Sequence, residues 1–405
     1  MKIVLLCHYF PPEIGAPSAR LYEMARHWVE LGNDVHVVTC FPNHPTGIIP
    51  DEYQGLKYKH EIMDGINVHR NYVYATPNKG FIKKTIGHIS FMFSSVFISM
   101  RKIKNPDVVV TSSPTFFSIF SGYWYSLRKR VPFVLEVRDL WPAAMIELGV
   151  MKRGFLTNIL EKMEMFFYRK SKKLIMVTKS FKENVVSRGI ESEKVHVITN
   201  GVNQDMFYPK GKNSNLINKY DLENKFVISY VGAHGISQNL SSVLKVAECL
   251  QEYNDIQFLF VGEGAEKEKL KNITRDQKIK NVIFIDSQPK ESIPEFYNTS
   301  DICLIPLKNI ELFKTFIPSK MFEIMACGVP IVASVDGEAA NILKESKGAE
   351  VVKPDNVNEI KDAILKLKND KILYEKRKEN GPTFVEQNFT RKKLAEKYLE
   401  ILKSI

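Results

Sequence analysis

FKTFIPSKMFEIMACGVPIVAS, residues 313–334, is the stretch whose reading decides the fold. Pro318 and Ser319 suit the entry to a helix. Lys320 and Glu323 stand three apart and share a face of its first turns. Gly328 and Pro330 stop the helix, since glycine accepts the left-handed closing conformation and proline cannot continue it. Ile331-Val332-Ala333 then opens an apolar strand. Loop, helix and buried strand make one step of a layered α/β sheet. A helix entry offers unpaired N–H groups and the positive end of a dipole, which suit an anion such as phosphate. A carboxylate one turn further in can accept hydrogen bonds from the vicinal hydroxyls of a ribose or hexose. The stretch therefore points to a nucleotide-sugar, although the spacing alone equally fits a surface Lys–Glu pair.

The same alternation extends outward in both directions. In the second half, apolar runs at 226–232, 257–262, 282–285 and 302–305 read as strands, and Gly235-Ile236-Ser237-Gln238-Asn239 turns into a helix running to Leu250. The first half carries the pattern independently, with strands expected at 2–7, 35–39, 68–70, 108–111, 133–137, 174–177 and 195–198. After the first strand comes a loop with Pro11, Pro12 and Gly15. A helix from Ser18 to Leu31 follows, with Leu21, Met24, Ala25, Trp28 and Leu31 along one face. The expectation is two Rossmann-like, doubly wound parallel sheets joined by a polar, turn-rich linker at 199–209 and facing across a cleft. The first loop lacks the spacing of a dinucleotide fingerprint, which argues against a dehydrogenase.

The net charge of +11 is uneven. Residues 1–200 hold 27 Lys and Arg against 17 Asp and Glu; the remainder hold 30 against 29. A basic first half suits an anionic surface or a phosphorylated substrate. Its clusters lack interleaved aromatics, which argues against nucleic acid. The five cysteines are scattered with neither redox nor metal-ligand spacing, so a reducing cytoplasm and no metal site are expected. No apolar run reaches the length of a membrane span, and the first is too short for a signal peptide.

Residues 86–100 carry no Asp, Glu, Lys or Arg, and basic residues flank them at Lys83, Lys84, Arg101, Lys102 and Lys104. Two readings fit. The segment lies in a membrane interface with its basic flanks on anionic lipid, or it packs on the first sheet. Ser90, Ser94, Ser95 and Ser99 fall roughly on one face and give it weak amphipathicity.

Taken together, several motifs resemble family 4 of the retaining glycosyltransferases, which have the GT-B fold. The likeness covers essentially the whole chain. It rests on the Gly15 loop, the segment Asn200-Gly201-Val202-Asn203 with Phe207, the strand end Tyr230-Val231-Gly232, Gly262-Glu263-Gly264, and 318–334. Residues 10–20, Arg138-Asp139-Leu140-Trp141-Pro142 and Pro318-Ser319-Lys320 look like the subgroup of bacterial O-antigen and capsule enzymes, of the L-fucosamine (N-acetylfucosamine) transferase type. The resemblance implies two domains. Residues 1–203, with a terminal helix at about 386–405, form an acceptor-binding, membrane-facing domain; 204–385 bind the nucleotide-sugar donor.

It also implies the reaction. A sugar moves, with retention, from a nucleotide donor, UDP-linked by expectation, to a hydroxyl of a lipid-linked saccharide at the inner face of the cell membrane. No metal or other cofactor takes part, because protein cations and dipoles neutralise the leaving diphosphate. Glu323 matches the second carboxylate of the family's Glu-X7-Glu motif and is assigned to the ribose. The first falls at Thr315, a departure that suits a deoxy or N-acetylated sugar. Phe316, Ile317 and Pro318 offer backbone groups there, and Thr315 and Ser319 complete that edge. The Arg and Lys that many relatives carry after the strand ending at Gly232 are missing. Gly235, Gln238 and Asn239 stand there, and Lys320 takes over the charge. Gly15 lets the first loop approach the donor phosphates, since no Cβ intervenes. Asp139 positions the acceptor hydroxyl and Arg138 contacts a phosphate; the structural alternative is a buried Arg–Asp pair that tethers the loop. Two other functions share the expected fold: a nucleotide-sugar 2-epimerase, whose carboxylates and histidine have no place here, and a nucleotide-sugar sensor.

Overall fold

The computed structural model describes the chain except residues 14, 45, 78–80, 114 and 148–150. Ile14, within the 10–20 motif, thus lies outside the described residues. Two units emerge: Met1–Asn200 with Arg391–Ile405, and Gly201–Thr390.

The first unit is built on β1 (Lys2–Leu6), β2 (Asp34–Cys40), β3 (Tyr58–Met63), β4 (Ile66–Asn71), β5 (Val108–Ser112), β6 (Phe133–Val137), β7 (Lys173–Met176) and β8 (Val195–Val197). Their order across the sheet is β3-β4-β2-β1-β5-β6-β7-β8. All neighbours are parallel except β3 and β4, a hairpin turned at Asp64 and Gly65, both with positive φ. The central strands are apolar without alternation because both faces are covered: β5 and β6 are buried throughout. The edge strand β3 is half exposed and mixes polar with apolar residues, with Ile62 72% exposed, so no apolar run announces it in the sequence. The helix Ala16–Glu30 lies under β1 and β2. Against it packs the last helix, Arg391–Lys403, where the Trp28 Nε1–H donates to the Ala395 carbonyl at 3.0 Å and the Trp28 ring meets Tyr398 edge-on.

The second unit repeats the plan with β9 (Phe226–Val231), β10 (Ile256–Val261), β11 (Val282–Ile285), β12 (Ile302–Pro306), β13 (Ile331–Ser334) and β14 (Ala349–Val352). The order is β11-β10-β9-β12-β13-β14, every pair parallel. Strand β14 is only partly buried and was not evident from the sequence. In each sheet the winding direction reverses once, between β1 and β5 and between β9 and β12. Open α/β sheets place ligands beyond the strand ends at such points.

The segment around 86–100 packs on the first sheet through one face. It is a helix, Phe81–Ser94, continued by a π turn, Ser95–Ser99. Its serines face inward: Ser99 donates to the Asn71 side chain, Ser94 to the Tyr72 carbonyl, and Ser90 accepts from the Tyr74 N–H at 2.7 Å. The phenylalanines are split. Phe91 is fully buried, while Phe93 and Phe97 are about half exposed, at 53% and 52%. The polar stripe therefore satisfies backbone groups beyond β4, and an apolar stripe is left on the surface. No described helix is long and apolar enough to cross a membrane.

Candidate functional site

In the second unit the chain after β12 makes a tight turn, Glu311–Thr315, and enters the helix Lys320–Ala326. Gly328, at φ +69, closes that helix. Lys320 is its first residue, and its side chain reaches back to the end of β9. There its Nζ donates to the Val231 carbonyl at 2.8 Å and lies 4.1 Å from the centre of the Tyr230 ring. Gly232 makes this possible. A Cβ there would fall 2.4 Å from Nζ, and its φ of +144 is one that side chains rarely adopt. The ammonium thus sits at the reversal point of the sheet, held by a carbonyl and a ring face. Burial pulls its pKa down from 10.5 to about 8, and Glu323 only partly offsets this.

Glu323, one turn on, is half-buried and accepts a long hydrogen bond from the buried Tyr297 hydroxyl at 3.4 Å. Ile317 is buried, and Pro318 and Ser319 are half-buried. Thr315 uses its hydroxyl locally, donating to the Leu312 carbonyl at 2.8 Å. The helix itself has only seven residues, so positive charge at its entry comes chiefly from Lys320 rather than from a long dipole.

The turn after β9 contributes unevenly. Gly235 lies beside the Gln238 side chain, whose Oε1 is buried without a partner among the described residues. Asn239 has other work. It sits at φ +42 before the helix Leu240–Cys249, its amide bonds the Asp355 carboxylate, and its Oδ1 accepts from Ser241 at 2.9 Å. It is an anchor between loops.

Three features here escaped the sequence reading. His234 is fully buried among Tyr230, Phe260 and Phe284, with neither ring nitrogen partnered among the described residues. Burial, reinforced by the Lys267 charge, pushes it down to about 4, so it is neutral. Gly264 passes so close that a Cβ would meet the His234 carbonyl oxygen at 2.3 Å, and one on Gly262 would meet the Gly232 oxygen at 2.0 Å. Lys267, almost wholly buried, bridges Glu263 and Asp286 at 2.5 and 2.7 Å. The glycines at 232, 262 and 264 were visible in the sequence; that they pack the ends of β9 and β10 together was not.

In the first unit, Gly15 is exposed at φ +147, with only Pro17 near its missing Cβ. Conformation, not crowding, calls for glycine there. Arg138 and Asp139 follow β6. The Arg138 N–H donates to Ser113 at 2.9 Å, while its Nη1 is buried with no partner among the described residues. Burial lowers Arg138 to about 10, and the strongest opposing charge acting on it is Glu136, ahead of Asp139. Asp139 is itself pushed up by burial, against the pull of Arg138. The tight pair lies elsewhere: Glu136 binds Arg20 at 3.2 Å and Ser112 at 2.9 Å, all fully or nearly fully buried. Among the described residues, no three His, Cys, Asp or Glu side chains group as a metal site.

The chain as a whole is similar to known proteins. Residues 18–206 match the family model described as Glycosyltransferase Family 4, and residues 213–384 that described as Glycosyl transferases group 1. A protein of Escherichia coli (strain K12), named as the colanic acid biosynthesis glycosyl transferase WcaI, is 24% identical over 93% of this chain and 95% of its own. Two solved structures share the fold: Anabaena HepE in complex with UDP and glucose (TM-score 0.74, 16% identity, all of both chains) and sucrose-phosphate synthase from Thermosynechococcus elongatus (TM-score 0.75, 16% identity, 99% of this chain and 98% of the other). Two parallel α/β sheets, each matched by its own glycosyltransferase model, make this chain a GT-B glycosyltransferase of family 4 and group 1, related to enzymes of polysaccharide biosynthesis.

Proposed function

We propose that the chain transfers a sugar, with retention, from a UDP-linked donor on its second unit to a hydroxyl of a lipid-linked saccharide received by its first unit, in the assembly of a bacterial O-antigen or capsule. The observation that carries this reading is Lys320, a cation at the sheet reversal held by a carbonyl and a ring face. A leaving nucleoside diphosphate is the anion it suits, and its charge replaces a metal ion in neutralising that group. Glu323 takes the ribose hydroxyls. Gly235 and Gln238 line the diphosphate from the other side, with backbone groups at 316–318 toward the sugar. The UDP and UDP-glucose named in the HepE structures favour uridine as the base. The donor sugar is deoxy or N-acetylated, consistent with Thr315 in place of a carboxylate; the fucosamine type is the specific candidate.

Arg138 holds an acceptor or donor phosphate through its buried, unpartnered Nη1. Asp139 orients the attacking hydroxyl. The enzyme then works by placement and charge stabilisation, with departure and attack on one face of the sugar. The basic first unit and its apolar helical surface hold the protein at the inner face of the cell membrane.

A panel of UDP-sugars, with and without undecaprenyl-diphosphate-sugar, tests this through UDP release in the presence of EDTA. Acceptor-dependent release is expected. Sugar interconversion without release would replace transfer by 2-epimerisation, and saturable binding without turnover would make the chain a sensor. Flotation with anionic liposomes at low salt tests the membrane arm, and failure to float would overturn it.

A further inference from the structure

The helix Phe81–Ser94 carries two cavities of opposite character along one ridge. At its start is a polar cavity of about 130 Å³, lined by His8, His44, Lys83, Lys84 and His88 and lying beyond the ends of β1, β2 and β4. His8 is 4% exposed, and its Nδ1 is buried without a partner among the described residues; its ring packs edge-on against His88 at 4.6 Å. The loop that carries His44 is fastened by the buried Glu13, whose Oε1 accepts from the N–H groups of Asn43 and His44 at 2.9 Å each. The carboxylate is thus turned to backbone, and the basic side chains that line the cavity are three imidazoles and two ammoniums, beside Tyr9, Tyr74 and Thr76.

Further along is an apolar groove of about 710 Å³ between this helix and the helices Phe116–Lys129 and Phe155–Lys170. Phe93, Phe97, Trp124, Leu127 and Phe166 line it, and each is between 41% and 58% exposed. Its rim is cationic. Arg101 lies over Phe97, Arg128 over Trp124 and Lys170 over Phe166, at 5.5 to 5.8 Å from the ring centres. Residues 81–130 hold eight Lys and Arg and one acid, Asp107.

The two cavities share a row of side chains four apart: Lys84 and His88 line the first, Met92 and Val96 the second. Successive members of such a row are neighbours, and from Lys84 to Val96 it climbs roughly 18 Å while winding about 120° round the helix. We infer that this row is the binding site of a lipid phosphate, with the phosphoryl group among His8, His44, His88, Lys83 and Lys84 and the hydrocarbon chain in the groove between the three helices. The inference rests on the proposal that the acceptor is lipid-linked and assigns the part of the chain that holds its diphosphate and lipid. Burial and neighbouring positive charge hold His88 down at about 4 and His8 well below its ordinary range, so both rings are neutral and His8 Nδ1 waits for a proton donor or acceptor. A phosphoryl anion supplies that partner.

The experiment is calorimetric titration of the full chain, saturated with UDP so that the donor site is filled, with farnesyl diphosphate, inorganic diphosphate and farnesol. Farnesyl diphosphate should bind at least about tenfold more tightly than either half alone, because the ends are held together. Lys83→Ala with Lys84→Ala should reduce its affinity to that of farnesol. Phe97→Asp with Leu127→Asp, both at exposed positions, should reduce it to that of inorganic diphosphate. Unfolding curves for each variant confirm that the fold is kept. Equal binding of farnesol and farnesyl diphosphate would make the groove a general apolar contact and overturn the site. Acceptor turnover separates this inference from the function on which it rests. Variants that transfer sugar to a lipid-linked acceptor with unchanged KM would refute the site and leave the function standing. Tight, variant-sensitive binding without any transfer would do the reverse.

Discussion

Two cations, Arg20 and Lys320, sit near the reversal points of the two sheets, yet they are held in opposite ways. Arg20 is 3% exposed and fully matched: Glu136 faces it, and the carbonyls of Ile198 and Thr199 and the Asn200 side-chain oxygen take its remaining N–H groups. Lys320 has a carbonyl and a ring face. A buried charge whose counter-charge is built in serves the scaffold. One left short of counter-charge costs stability until a ligand arrives. Arg138, with its unpartnered Nη1 beside the satisfied Arg20–Glu136 pair, belongs with Lys320 in this respect.

The largest effect is expected where the pairing is complete. Arg20→Met leaves the buried Glu136 with the Ser112 hydroxyl as a hydrogen-bond partner and Arg138 as a counter-charge, and breaking such a pair costs about 3–5 kcal/mol. Chemical denaturation should show a loss of that size, together with weaker packing of the loop after β8. A loss under 1 kcal/mol would mean that the pair is not the brace described here.

Lys320→Met should do something Arg20→Met cannot: weaken donor binding while raising the melting temperature. Below pH 8 the folded protein bears the whole cost of holding this cation at a depressed pKa, which corresponds to roughly 3 kcal/mol, less about 1 kcal/mol for the lost bond to Val231. The variant should therefore gain about 2 kcal/mol at neutral pH and lose UDP affinity by about 30- to 100-fold. A stabilised variant that still binds UDP normally would remove Lys320 from the donor site. Gly232→Ala probes the same contact with less force. Its Cβ would lie 2.4 Å from Nζ and must displace the ammonium, so donor affinity should fall about tenfold with kcat less affected. Unchanged affinity would show that Lys320 need not sit where it does.

The contrast also explains what the sequence could reveal. The double α/β pattern was legible because central parallel strands are buried on both faces and appear as unbroken apolar runs. Strands β3 and β14 were not, because edge strands are half exposed and lose that signature. Lys320 and Glu323 could be singled out by spacing and family likeness, but Gly232 as the gap that admits Lys320 depends on a meeting of residues almost ninety apart. Asn239 looked like a ligand group by position, yet its amide is taken up by Asp355 and Ser241. The serines at 90, 94 and 99 gave a correct stripe with no indication of its direction; only the unpaired backbone groups at Tyr72 and Tyr74 draw it inward. The histidine-lined cavity has no linear motif at all, since its residues come from three loops and a helix.

The smallest and sharpest effect is in pH. With Lys320 at about 8 in the free protein, its charged fraction falls from about nine-tenths at pH 7 to about a quarter at pH 8.5. A bound diphosphate favours the charged form and raises that pKa, so binding takes up a proton across this range. UDP affinity should therefore fall about fourfold between pH 7 and pH 8.5, and calorimetric heats should depend on the ionisation enthalpy of the buffer. The stability term has its own sign. The folded pKa lies below the unfolded one, so the cost of Lys320 is full below about 8 and is relieved as pH rises toward 10.5. Lys320→Met should accordingly lose its stability advantage with rising pH. Lys320→Arg separates charge from titration, because a guanidinium stays protonated throughout. If this variant binds UDP at all, its affinity should be flat where the wild type declines. A decline of the same slope in both would place the titrating group elsewhere and return Lys320 to the class of Arg20, a buried cation that serves the fold alone.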